Sequence, residues 1–197
     1  MQGDTERGLL LIVSGPSGAG KTTIARQAEQ ALDAVFSVSM TTRPRMPKDQ
    51  EAVDYLFVDE PTFDACRERG DLLEWARVFD HSYGTPRQPV EAGLTAGRVV
   101  ILEIDVKGAI QVKQNMPEAL AVFVEPPREE ELLVRLRGRG RDTEEVIQRR
   151  FQAARDEIRD AHRCGVYEAF IVNENLDVSV TELLQLVEAA RGERSRA

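Results

Sequence analysis

The residues that build metal centres and covalent staples are scarce in this 197-residue chain. It has two cysteines, Cys66 and Cys164, and two isolated histidines, His81 and His162. The cysteines lack metal-ligand spacing and two of them cannot make a disulfide framework, so both of those classes are excluded. No apolar run approaches the ~18 residues of a membrane-spanning helix. A positive excess is also missing: 26 Lys+Arg stand against 34 Asp+Glu, a net charge of -8. That balance argues against general binding to a nucleic-acid polymer or an anionic membrane, while leaving room for a small anion in a locally basic pocket. The polar start, Met1 to Arg7, does not read as a secretory leader, and with so few cysteines the expected setting is reducing and cytoplasmic. There is no internal repeat and no low-complexity stretch. What remains, 42% hydrophobic and 30% charged residues, is an ordinary globular composition, long enough for one domain to bury a core without staples.

Short apolar runs alternate with amphipathic stretches. Leu9 to Ser14, Val35 to Ser39, Val99 to Ile104, Leu120 to Val124 and Phe170 to Val172 read as buried strands. Thr22 to Leu32 and the stretch near Ala109 to Asn115 read as helices, as does a C-terminal segment from about Ser179 to Ala190, where Ser179 and Glu182 have capping-box spacing. The pattern predicts an α/β fold with a parallel sheet covered by helices on both faces. Two regions interrupt it. Residues 41–88 are richer in proline and charge and hold two segments, Tyr55 to Val58 and Leu72 to Ala76, that read as short antiparallel strands of an inserted lobe. Residues 128–164 are charged and mostly helical, broken at Gly138-Arg139-Gly140, with Asp142 and Glu145 placed to cap the next helix. The break suits a mobile lid.

The most specific feature is Gly15-Pro16-Ser17-Gly18-Ala19-Gly20-Lys21-Thr22, followed by Thr23, which fits GxxxxGK[ST] between a predicted strand and a predicted helix. Glycines let successive N–H groups face one oxyanion, and the helix N-terminus adds its positive end. Lys21 supplies a point charge for β- and γ-phosphates, and the Thr22 hydroxyl is a ligand for Mg²⁺. A phosphate loop does not name a reaction. Asp105-Val106-Lys107-Gly108 matches the DxxG of GTPases, but no Asn-Lys-x-Asp segment accompanies it.

A second cluster, Ser37 to Arg45 (SVSMTTRPR), follows the second strand, whose end faces the same crevice as the loop. Arg43 and Arg45 with neighbouring hydroxyls could hold a second phosphate, or be a solvated loop. Tyr55, Tyr83 and Thr85 add hydroxyls. Glu74 interrupts an apolar strand, and a carboxylate there could accept the N1–H and N2–H₂ donors of guanine, a pair adenine lacks; judged alone, an outward-facing strand residue is the favoured reading.

Taken in order, Gly15–Thr23, Ser37–Arg45, Asp71–Val78 (DLLEWARV), Tyr83–Pro86 (YGTP), Ile101–Gly108 (ILEIDVKG), Arg135–Arg150 (RLRGRGRDTEEVIQRR) and Ile171–Asp177 (IVNENLD) resemble the guanylate kinase family across nearly the whole chain. The resemblance implies a core (residues 8–36, 89–127 and 165–191), a GMP-binding lobe (about 37–88) and a lid (about 128–164). It implies phosphorylation of GMP by ATP with Mg²⁺, the protein acting as a monomer or small homo-oligomer. Arg43, Tyr55 and Tyr83 would then hold the GMP phosphate, joined by Arg45. Ser39, Glu74 and Thr85 would read guanine, and Asp105 would lie between guanine and the metal region. Arg135, Arg139 and Arg150 would meet the ATP phosphates, and Asn173 would lie near the adenine. Three departures stand out: the second arginine, Arg45, lies one residue closer to the first than is usual, Lys48-Asp49-Gln50-Glu51 replaces the family's Gly-Glu after the arginines, and Glu103 stands where aspartate is usual. A P-loop kinase for another small acceptor, or a non-catalytic module of the same fold, are the alternative readings.

Overall fold

The structure is a computed structural model and describes residues 8–78, 80–138 and 143–194. In chain order its elements are β1 (Leu10–Ser14), α1 (Lys21–Leu32), β2 (Val35–Phe36), β3 (Met40–Thr41), β4 (Leu56–Phe57), α2 (Glu60–Glu68), β5 (Leu72–Val78), β6 (His81–Pro86) and α3 (Arg87–Thr95). They continue with β7 (Val100–Glu103), α4 (Val106–Asn115), β8 (Leu120–Glu125), α5 (Glu129–Gly138), α6 (Glu144–Cys164), β9 (Ala169–Val172) and α7 (Leu176–Arg194).

The larger sheet has strand order β2-β7-β1-β8-β9, with every pairing parallel. Its strands are continuous apolar runs because helices cover both faces. Side chains alternate between two cores. Leu9, Leu11, Val13, Ile101, Val122 and Val124 pack with α1 and α7. Leu10, Ile12, Val100, Leu102 and Ala121 pack with α3 and α4. The parallel sheet expected from the sequence is present, and the alternation shows why: each strand needs apolar residues at both parities.

The smaller sheet has order β4-β3-β6-β5. β5 and β6 are antiparallel, but β4 runs parallel to β3, so the antiparallel reading of Tyr55 to Val58 is corrected. Residues 42–55 carry the chain from the end of β3 back to the start of β4, as a parallel pair requires, and carboxylates fasten this excursion: Asp54 accepts from Gln50 N at 2.7 Å and Asp49 from Met46 N at 2.7 Å. The strand expected over Val35 to Ser39 divides between two sheets. Val35 and Phe36 pair with β7, Ser37 N still donates to Ile101 O at 2.9 Å, and the chain then crosses to β3.

Two helix starts differ from expectation. α7 begins at Leu176, capped by Asn175, whose Oδ1 accepts from Val178 N at 3.2 Å. Ser179 is therefore inside the helix rather than its cap. α6 is capped by Thr143, whose hydroxyl accepts from Val146 N; Asp142, the expected cap, lies outside the described residues. Cys66 and Cys164 are both free thiols.

Candidate active site

The phosphate loop joins β1 to α1 at the C-terminal end of the parallel sheet. Gly20 is the residue before α1, with φ 92°, a left-handed conformation that glycine adopts without a Cβ penalty. A Cβ at Gly20 would also lie 2.3 Å from Asn173 Nδ2. That amide is not free to move: it is buried and donates to Ala19 O at 2.7 Å, while its Oδ1 accepts from Ser179 Oγ at 3.3 Å. Asn173, at the end of β9, thus supports the underside of the loop. Gly20→Ala is expected to cost about 2–4 kcal/mol from the left-handed backbone and the displaced hydrogen bond. Thermal melting should show the loss, and KM for the triphosphate should rise at least about tenfold.

Parallel pairing brings Glu103 beside the loop, since Val13 and Glu103 are register partners. Thr22 Oγ1 donates to Glu103 Oε1 at 2.6 Å, and Lys21 Nζ stands 3.7 Å from the same oxygen. The sequence marks Glu103 as a departure from the usual aspartate without placing it in the site. Its signal was available: the acidic end of an apolar strand flanking the loop strand.

The charged helices also meet the loop. Arg135 of α5 donates through Nη1 to Gly18 O at 3.2 Å and through Nη2 to Asn173 O at 3.4 Å. Arg150 of α6 donates to Ser17 Oγ at 2.7 Å. Arg137 is exposed and paired with Glu144. Arg139 lies outside the described residues.

In the smaller sheet the expected phosphate-holding residues come together. Arg43 pairs with Asp49 at 2.9 Å, and its guanidinium lies 5.3 Å from the Tyr55 ring centroid. Tyr55 and Tyr83 meet edge to face at 5.8 Å. Burial raises the Tyr55 phenol above its ordinary 10.0, so it is a donor at neutral pH. Asp49 belongs to the stretch that departs from the family pattern, and no sequence signal marked it as the partner of Arg43. Arg45 is exposed, and its Nε donates to Asp49 O at 3.0 Å.

Glu74 and Thr85 face each other across β5 and β6. Thr85 Oγ1 donates to Glu74 Oε1 at 2.6 Å, and Glu74 is only 7% exposed. Burial, helped by the charge of Asp105, pushes its pKa up to about 7 against the Thr85 hydrogen bond. Ser39 is half-buried, and its carbonyl accepts from Leu56 N at 2.9 Å. Asp105 caps α4 by accepting from Gly108 N at 2.8 Å. A Cβ on Gly108 would stand 3.0 Å from Glu74 Oε2. The DxxG match therefore has a local explanation: Asp105 starts the helix and Gly108 leaves space for the carboxylate of Glu74. Residues 103–108 consequently touch both halves of the site, Glu103 the phosphate loop and Gly108 the buried carboxylate.

A family model described as guanylate kinase matches residues 7–190. The chain belongs to the guanylate kinase family. It is 43% identical over 190 residues to a guanylate kinase of Thermus thermophilus, covering 96% of this chain and 85% of that one. It is 46% identical over 192 residues to the guanylate kinase of Zymomonas mobilis, covering 96% and 88%. Among solved structures, it resembles the guanylate kinase of Anaplasma phagocytophilum with a TM-score of 0.72 and 29% identity, over 94% of this chain and 87% of that one. Among the described residues no helix is long and apolar enough to cross a membrane.

Proposed function

We propose how this chain performs the reaction of its family, transfer of the γ-phosphoryl group of ATP to GMP with formation of ADP and GDP. The observation that carries the reading is the shared segment 103–108, which joins a phosphate loop to a buried carboxylate–threonine pair.

In this reading the backbone of residues 15–23 receives the ATP phosphates, and Lys21 balances charge at the β- and γ-positions. Asn173 acts by holding the loop in shape. Guanine donates N1–H and N2–H to Glu74, while Thr85 and Ser39 offer hydroxyls to the base. Asp105 fixes the start of α4 beside it. Arg43, Tyr55 and Tyr83 hold the GMP phosphate, which takes the place of Asp49 on Arg43. Arg45, through its bond to the Asp49 carbonyl, shapes the loop that presents Arg43. Arg135, Arg139 and Arg150 meet the ATP phosphates, Arg135 by fixing the loop that holds them and Arg139 and Arg150 by stabilising charge on the transferring group. Residues 37–88 then serve as the GMP-binding lobe, 128–164 as the lid and the remainder as the core.

No general base is required. The acceptor is a phosphate oxygen of GMP, and a phosphate monoester with a second pKa near ~6 is largely ionised at pH 7. The work left to the protein is alignment of donor and acceptor, charge stabilisation and exclusion of water. Among the described residues no group of three or more His, Cys, Asp or Glu is placed to hold a metal. The Thr22 hydroxyl and the Glu103 carboxylate it bonds to do form a hard oxygen pair next to the loop. Such a pair fits Mg²⁺, which is commonly held by one or two protein oxygens together with substrate phosphates and waters. When bound, Mg²⁺ supplies neutralising charge to the triphosphate.

The test is an ADP-release assay with ATP and Mg²⁺, offering GMP, AMP, CMP, UMP and dTMP separately. GMP is expected to exceed each of the others in kcat/KM by on the order of 10³ or more, because an analogue lacking the donors leaves Glu74 buried and unpaired. Comparable turnover of another monophosphate overturns the assignment of the base-reading residues. ADP release that needs no acceptor overturns the transfer reaction.

A further inference from the structure

The outer edge of the smaller sheet is completed by side chains rather than by a strand. β5 is an edge strand, and Gln111 and Asn115, one turn apart on α4, take up its outward backbone groups. Gln111 Oε1 accepts from Trp75 N at 3.2 Å, and its Nε2 donates to Trp75 O at 3.0 Å. Asn115 Nδ2 donates to Leu73 O at 2.8 Å. A primary amide carries a donor and an acceptor side by side, so Gln111 does for Trp75 what a neighbouring strand would do.

These three bonds bracket Glu74 on both sides. Ala109 and Val112 of the same helix share one apolar core with Leu73, and its Gly108 lies under the Glu74 carboxylate. The β6 side does not hold this stretch unaided, because the ladder register shifts between Leu72 and Glu74, and such an irregularity leaves part of the strand unpaired.

We infer that Gln111 is a positioning residue for base recognition, holding the Trp75 peptide so that the Glu74 carboxylate stands where guanine presents N1–H and N2–H. The inference rests on the guanine-reading role proposed for Glu74. Gln111 touches no substrate in this account and acts through the β5 backbone. A displacement of about 1 Å at such a group is enough to cost on the order of 10²-fold in an oriented reaction.

Gln111→Leu keeps most of the side-chain bulk and deletes both bonds. Steady-state kinetics with GMP, IMP and ATP varied in turn give the readout; IMP lacks the 2-amino donor. KM for GMP is expected to rise about 10-fold and the preference for GMP over IMP to narrow about threefold, with KM for ATP unchanged and kcat within about threefold. Asn115→Ala should show the same pattern at about 2–3-fold. In a Glu74→Gln background, Gln111→Leu should add nothing further to KM for GMP, because both changes act through one contact. A folded Gln111→Leu protein with unchanged KM for GMP and unchanged preference overturns the inference. So does an equal loss of kcat for both acceptors at constant KM, which is the mark of a purely structural residue. If Gln111→Leu does not yield folded protein, Asn115→Ala is judged by the same criteria. A normal Gln111→Leu protein beside a damaged Glu74→Gln protein rejects this inference alone. An undamaged Glu74→Gln protein rejects the reading of Glu74 and the inference with it.

Discussion

Arg150→Ala is expected to lower kcat for GMP phosphorylation by about 10³-fold or more, with a much smaller change in KM for GMP. The side chain reaches the phosphate loop from α6 and donates to Ser17 Oγ at 2.7 Å. Ile147, Ala154 and Ala161 bury one face of that helix, so the arginine is carried by a packed element rather than a free loop. A guanidinium at a transferring phosphoryl group is worth roughly 10³–10⁵ in rate, or about 4–7 kcal/mol of barrier. Lysine at this position keeps the charge but loses the planar fork, so Arg150→Lys should recover only part of the loss. Arg135 provides the internal contrast. Its nitrogens donate to the carbonyls of Gly18 and Asn173, which fixes the loop itself, so Arg135→Ala should raise KM for ATP more than it lowers kcat. Saturating and subsaturating rates for the three variants separate these effects. A kcat for Arg150→Ala within about tenfold of the parent would remove Arg150 from the transferring group.

The parts of this molecule that the sequence displays are those encoded locally. β1 is legible because Leu9 to Val13 must be apolar at both parities to sit between two helical layers. The phosphate loop is legible because left-handed backbone at Gly20 demands glycine, and because strand, loop and helix follow one another directly. Glu74 and Thr85 were legible as types, and the resemblance grouped them as guanine readers; their pairing became visible only through their register on neighbouring strands.

The rest depends on contacts distant in sequence. Asn173 carries no local sign that its amide is spent on Ala19, 154 positions away. Gln111 reads as an ordinary helix residue until β5 is laid against α4. Asp49 sits in a stretch that looked like a departure from the family pattern, yet its carboxylate pairs with Arg43, the residue expected to hold phosphate. β4 pairs parallel because of the path of residues 42–55, and no periodicity in two short strands records a path. α7 starts earlier than its apolar pattern because Asn175 caps it, while the serine that imitated a cap bonds Asn173 instead.

Glu74→Gln should weaken GMP binding and strengthen the unliganded fold. A carboxylate accepts both guanine donors, and charge-assisted hydrogen bonds are worth about 1.5–3 kcal/mol each. Glutamine accepts one of them and presents its own N–H₂ to the other. KM for GMP is therefore expected to rise about 10²-fold or more, with KM for ATP unchanged. Stability moves the opposite way. Burial holds the folded pKa at about 7, above the ordinary 4.5, so between those two values the folded chain keeps a proton that the unfolded chain releases. Stability then falls as pH rises through that window, by up to about 3 kcal/mol for this shift. Glutamine removes that term and can still accept from Thr85 Oγ1. The variant should melt above the parent at pH 8, by about 2–4 °C for each kcal/mol recovered, and the two curves should converge toward pH 4. The same titration acts on binding. KM for GMP in the parent should fall as pH rises through 7, as the carboxylate form that guanine needs becomes populated. The ratio of parent to variant KM isolates this dependence, since ionisation of GMP itself is common to both. A variant that melts below the parent at pH 8 would mean that the free protein stabilises the Glu74 carboxylate and does not raise its pKa, and a flat KM ratio from pH 6 to 8 would mean that Glu74 does not titrate in its encounter with GMP.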